Sequence, residues 1–180
     1  MEPRKAIEQA IRVARLDTEI YEAVEEDPGA SLQAGLIVAV ALAAAGVGSI
    51  HSGQPLLTFL VGLAVAGLGW ALWMGIIWGV ANYILTESTT QASYAGFART
   101  VGCAAVPGAA LIVAILPGAL GGLLFLAVSG WWLATTTLAV RQSLYYGDLI
   151  RSAIVVGVGW VAQIILLRVF VFHALLGTVA

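Results

Sequence analysis

The chain has one cysteine, Cys103, and two histidines, His51 and His173. A single thiol excludes an internal disulfide and any cysteine-cluster metal site. Two histidines without neighbouring carboxylates make no conventional zinc site, so no metal is expected. Charge is scarcer still. Only 10% of the residues are Asp, Glu, Lys or Arg, against about 25% in a soluble domain. Beyond Asp27 the chain holds only Glu87, Arg99, Arg141, Asp148, Arg151 and Arg168. Six charges do not cover a water-facing surface on residues 30–180. No basic tract is present, which argues against a nucleic-acid partner. There is no HExxH, P-loop, dinucleotide fingerprint or nucleophile–base pair, so neither an enzyme nor a cofactor is expected. Paired mid-span histidines for haem are missing, which leaves little for an electron-transfer subunit. The first apolar run begins only near Leu32, too late for a secretory signal peptide.

What remains is apolar. Hydrophobic residues make up 61% of the chain and the mean hydropathy is +0.97. The runs are continuous, without the alternation of a barrel strand. Backbone polar groups in a bilayer need internal partners, so the runs are read as helices. The expected fold is all-α: a polytopic transmembrane bundle of about five spans with an N-terminal amphipathic helix. Residues 1–29 form the charged appendage and 30–180 the membrane domain. The spans are expected at about 31–50, 56–85, 101–116, 119–140 and 152–176, each close to or above the length that crosses a bilayer. The third is the shortest, and Pro107 marks it as kinked or partial. The polar loops are expected at 51–55, 86–100 and 141–151.

Residues 1–28 carry four basic and eight acidic side chains, a net charge of −4. At 100° per residue, Arg4, Lys5, Glu8, Arg12, Arg15, Glu19, Glu22 and Glu26 share one face. Ile7, Ala10, Ile11, Ala14 and Tyr21 share another, flanked by Val13, Ile20 and Val24. Asp17 interrupts the apolar side; alternatively it caps a second short helix from Thr18 to Glu26. Two readings follow: a helix lying on the membrane or the bundle, or a docking site for a partner.

Five spans put the N-terminus and the 86–100 and 141–151 loops on one side. That side then holds seven of the eight basic residues, and only Arg168 is left over. By the positive-inside rule the N-terminus is cytoplasmic, in a cell membrane, and the C-terminus is outside.

Arg168 lies about 25 Å along the fifth span from Arg151, near the outer headgroups. It either snorkels to lipid phosphates or lines a cavity. His51 and His173 should share its level. Gln163 and Ser129 sit about 18 Å from Arg151 and Arg141 respectively, where they can meet in an interhelical hydrogen bond. Thr135, Thr136 and Thr137 are expected to bond to their own helix. Trp70, Trp73, Trp131, Trp132 and Trp160, with Trp78, fall mostly toward mid-span. Rings there fill gaps opposite glycine or line a pocket for an apolar ligand.

Small residues recur at four-residue spacing. Gly67, Ala71, Gly75 and Gly79 form a stripe along the second span. Gly118 with Gly122, and Ala153 with Gly157, are further pairs. Such stripes let helices approach closely, within one chain or between chains.

The run Thr89–Pro107, with its polar loop, aromatic Phe97, basic Arg99, small residues and proline, resembles the Yip-domain family of polytopic membrane proteins in its bacterial form. Trp131-Trp132, the Leu138–Ser143 stretch and Ile150-Arg151-Ser152-Ala153 are similar to that family's fourth span, polar loop and entry to the fifth. Leu16–Tyr21 ahead of Pro28-Gly29 is similar again. The resemblance implies five spans, a cytoplasmic N-terminus and no settled activity. The residues leave two functions open. One is a non-enzymatic scaffold or accessory subunit, acting by contact with a membrane-protein partner or a second copy. The other is a small transporter or lipid-binding protein with a cavity near Arg168 and Gln163.

Overall fold

The computed structural model describes residues 3–50, 54–85 and 93–176, and of Pro3 and residues 170–176 the helical backbone only. His51, residues 86–92 and the His173 side chain lie outside the described residues. Every regular element among those described is helical: α1 (Pro3–Ala14), α2 (Glu19–Glu26), α3 (Ala30–Gly48), α4 (Pro55–Tyr83), α5 (Tyr94–Cys103), a 3-10 segment (Val106–Ile115), α6 (Gly118–Ser143) and α7 (Leu149–Leu176). Four of them, α3, α4, α6 and α7, are long and apolar enough to cross a membrane. Taken together, α5 and the 3-10 segment, which meet at 44°, are also long and apolar enough, as a broken span or a re-entrant loop.

The break has a local cause. Pro107 has no N–H to donate, and its ring would collide with the Cys103 carbonyl in a continuing helix. The chain resumes as a tighter 3-10 turn. Ten residues at about 2.0 Å each then cover about 20 Å. The helix also starts earlier than expected. Residues 94–100 are not loop: Ser93 accepts the Gly96 N–H at 3.0 Å and caps α5. Gly96 and the surrounding polar residues disguise this turn as loop in the sequence.

The N-terminal segment is two helices, not one. Leu16 has φ 63°. The Asp17 carboxylate accepts from Arg12 Nε at 2.6 Å and from the Glu19 N–H at 3.1 Å. A second helix is present as the alternative reading had it, but it begins at Glu19, with Thr18 at the N-cap position and Asp17 one residue before it taking the Glu19 N–H. Tyr21 is completely buried, with Val13, Ile20 and Val24 beside it in the main core. Its hydroxyl donates to the Thr135 carbonyl at 3.2 Å. Trp131 Nε1 donates to the Ala14 carbonyl at 3.0 Å, and Gln33 Nε2 to the Ala6 carbonyl at 3.3 Å. Thr135 and Trp131 lie eight and twelve residues before the end of α6. The segment is thus set into the side of the bundle, not laid beneath it. Ile7 and Ile11 stay 62% and 46% exposed, an apolar strip of α1 that the bundle leaves for lipid.

The two halves of the bundle differ. On the N-terminal side, α2, α5 and the facing ends of α4, α6 and α7 form a solid core around Tyr21, Ile77, Phe97, Val140, Leu144 and Val155. Tyr146 closes it by donating to the Leu85 carbonyl at 2.9 Å. On the other side only the slender 3-10 segment fills the space between α3 and α6. Gly108 admits Ala41 and the Trp132 ring there: a Cβ would lie 2.6 Å and 2.9 Å from them.

Glu25 is partly buried where α2 meets α5. Arg99 donates to its carbonyl oxygen, and Tyr145 is hydrogen-bonded to its carboxylate. Desolvation raises the Glu25 carboxyl above the usual range, against the lowering effects of Tyr145 and Arg99; Glu26 and Glu22 add to the rise. A raised carboxyl binds its proton more tightly in the folded state. Its contribution to stability is present below the unfolded pKa and fades as pH climbs through the folded one. Glu25→Gln should therefore gain stability over wild type as pH rises from about 4, the unfolded carboxyl's range, through the raised folded one. Thermal midpoints in detergent check this; a gap that shrinks as pH rises would contradict it.

Candidate intramembrane cavity

A cavity of about 370 Å³, partly open to the outside of the bundle, lies in the half away from the N-terminus. Its walls come from the four long helices and the 3-10 segment. Helix α3 supplies Leu42, Ala45 and Ser49, and the 3-10 segment supplies Leu111. Helix α4 contributes a face from Gly62 through Gly69 to Trp73, a stretch of about 16 Å. Helix α6 adds Phe125, Ser129, Trp132 and Leu133, and α7 adds Trp160, Gln163 and Leu167. A second compartment of about 390 Å³ shares Ala45, Ser49, Leu111 and Phe125, and continues to Gly118, Gly121 and Gly122 at the start of α6. The hollow therefore extends along about half of the hydrocarbon thickness of about 30 Å.

The side chains that hold this shape are specific. Trp73 donates from Nε1 to the Val156 carbonyl at 3.1 Å, which fixes its ring against α7. Trp73 and Trp132 meet edge to face with centroids 6.2 Å apart. A Cβ on Gly159 would lie 3.1 Å from the Trp73 ring. Ser49 donates to the Gly46 carbonyl at 2.7 Å and the Thr58 carbonyl at 2.9 Å, tying α3 to the start of α4. Among the described residues the wall presents no ionisable side chain.

Five residues singled out in the sequence come together here: Trp70, Trp73, Trp132, Trp160 and Gln163. Both readings of the mid-span tryptophans apply, since Trp73 and Trp132 sit opposite glycines and also line the cavity. Two do not join them. Trp131 is directed to α1, and Arg168 is exposed outside the wall. Arg168 follows Leu167 by one residue, so it stands about 100° round the helix from the lining stripe. Gln163 and Ser129 share the cavity, but the Gln163 Oε1 has no hydrogen-bond partner and rests against Gly69. The expected bond between α6 and α7 is not made by that oxygen. Of the threonines, Thr137 bonds within its helix to Leu133, Thr135 divides between Trp132 and Ala104, and Thr136 Oγ1 is unpaired.

Of the two readings of the small-residue stripes, close approach within the chain is not what the described residues show. A Cβ on Gly75, Gly79, Gly118, Gly122 or Gly157 would meet nothing within 4 Å, and on Gly67 only Leu42 at 3.9 Å. Ala71 and Ala153 are exposed. None is a close-approach point within this chain. The close approaches between elements include Gly46, Gly48, Gly62, Gly69, Gly102, Gly108, Gly121 and Gly159. Gly69 lies two residues from Gly67, about 200° round α4. The signal for the buried face was Gly62, Gly69 and Trp73 at spacings of seven and four. It was shorter than the outward stripe and so less conspicuous.

No protein-family model, curated protein or solved structure matches this chain.

Proposed function

We propose that this integral membrane protein holds a lipid-derived hydrocarbon chain in the cavity and is not an enzyme. The observation that carries this reading is the partly open, tryptophan-lined hollow among the apolar helices. Its volume falls in the range of small-molecule sites, about 300–1,000 Å³. A wall of indoles, leucines and glycines without an ionisable group suits a hydrocarbon and offers no general acid or base. The excess of Lys and Arg on the N-terminal side supports a cytoplasmic N-terminus in a cell membrane.

Titration of the detergent-purified protein with a dibrominated fatty-acyl phospholipid tests the reading. Saturable quenching of tryptophan fluorescence is expected, because four of the six tryptophans line the cavity. Ala66→Leu, which adds bulk at the wall, should remove the saturable phase while the protein stays folded and monodisperse. Quenching that never saturates, or that Ala66→Leu leaves untouched, counts against a cavity ligand.

A scaffold or accessory role is the second reading. It draws on the Gly75–Gly79 face of α4, which no described residue covers. Cross-linking between cysteines placed at these two positions in native membranes, if it occurred, would favour that reading.

A further inference from the structure

We infer that the cavity selects an uncharged, single-chain amphiphile whose head group both donates and accepts hydrogen bonds. This rests on the cavity being a ligand site. Three of its lining side chains carry a buried polar atom without a partner: Trp70 Nε1, Trp132 Nε1 and Gln163 Oε1. They come from α4, α6 and α7, so no single helix distortion accounts for them. Buried polar atoms are paired in the great majority of cases, and an orphan is costly. Three orphans on residues that wall one hollow, each covered by its neighbours until a ligand turns it inward, describe the complement of that ligand: two N–H groups call for an acceptor, and one amide oxygen calls for a donor. A hydroxyl supplies both.

Charge excludes the other amphiphiles. Among the described residues the wall has no Lys, Arg or His to balance a carboxylate or phosphate, and no Asp or Glu to balance an amine. An ion there would be desolvated without compensation. Arg168, the nearest cation in sequence to the α7 lining, stands outside the wall. The tail has room in the second compartment, which continues the first toward Gly118 and Gly122.

The test is competition against the brominated phospholipid in the purified full chain, with oleyl alcohol, 1-octadecene and oleate at alkaline pH as probes. Oleyl alcohol should displace the reporter at about tenfold lower concentration than 1-octadecene, which matches the chain but lacks the head, a tenfold ratio being worth about 1.4 kcal/mol. Oleate should be no better than 1-octadecene. Gln163→Leu should abolish the preference for the alcohol and leave 1-octadecene unchanged. Trp70→Phe, which keeps a ring and removes one donor, should reduce it and serves if Gln163→Leu does not fold. Equal displacement by alcohol and alkene in wild type, or a preference that survives both variants, overturns the head-group assignment and leaves hydrocarbon binding standing. Absence of any saturable reporter binding removes both.

Discussion

Tyr21→Ala should destabilise the bundle by about 3–5 kcal/mol, the cost of deleting a buried aromatic ring from a packed core. Tyr21 has no exposed surface, and it is among the largest fully buried side chains in the structure. Its ring enters the solid half of the bundle from α2, and its hydroxyl reaches the Thr135 carbonyl of α6. Burial of this kind makes α1–α2 part of the fold rather than an accessory on it. Tyr21→Phe removes only the hydroxyl contact and should cost about 1 kcal/mol, a typical net hydrogen bond. Ile7→Ala, on the uncovered strip of α1, should cost far less than Tyr21→Ala. Unfolding in mixed micelles with increasing dodecyl sulfate orders the three. A Tyr21→Ala protein as stable as wild type would mean that the segment detaches freely, and docking to a separate partner would then become the better account of it.

The second large effect inverts the expectation from sequence motifs. Gly48→Ala and Gly121→Ala should each cost about 1–3 kcal/mol or more, as overpacking of a close contact does. A Cβ on Gly48 would lie 2.5 Å from the Leu111 carbonyl oxygen, and one on Gly121 would collide with the Leu116 carbonyl. Backbone atoms of the 3-10 segment and the turn after it cannot swing aside as a side chain can. Gly75→Ala and Gly79→Ala meet open space and should instead gain up to about 1 kcal/mol from helix propensity. The same unfolding measurement ranks all four. If the GxxxG pair proved costly and Gly48 and Gly121 tolerant, the assignment of inward and outward faces would be wrong.

The cavity would also respond to such changes. Gly108 sits under Trp132, and added bulk there would push the ring toward the hollow. The site and the helix packing are therefore coupled through glycine, and the choice of Ala66→Leu for the binding experiment avoids that coupling. Ala66 lines the cavity and already carries a Cβ.

Much of the architecture is legible in the one-dimensional pattern. Segregation of charge before Gly29, the continuous apolar runs and Pro107 determine a helical membrane bundle with one damaged crossing. The N-terminal segment is legible in more detail, because water on one side and protein or lipid on the other impose a polarity contrast along it. Its buried residues, Val13, Ile20, Tyr21 and Val24, belong to the apolar side or flank it. Inside the bilayer that contrast vanishes. Lipid tails are as apolar as a protein interior, so α3, α4, α6 and α7 carry apolar residues on every face and nothing in polarity marks inward from outward. Only the tertiary structure decided that Gly62, Gly69 and Trp73 face inward while Gly75 and Gly79 face out. It also decided that Trp70, Trp132 and Gln163, on three separate helices, meet around one hollow. Close packing settles those faces, and packing depends on which surfaces fit one another across the bundle, a relation between helices that no single run of residues contains.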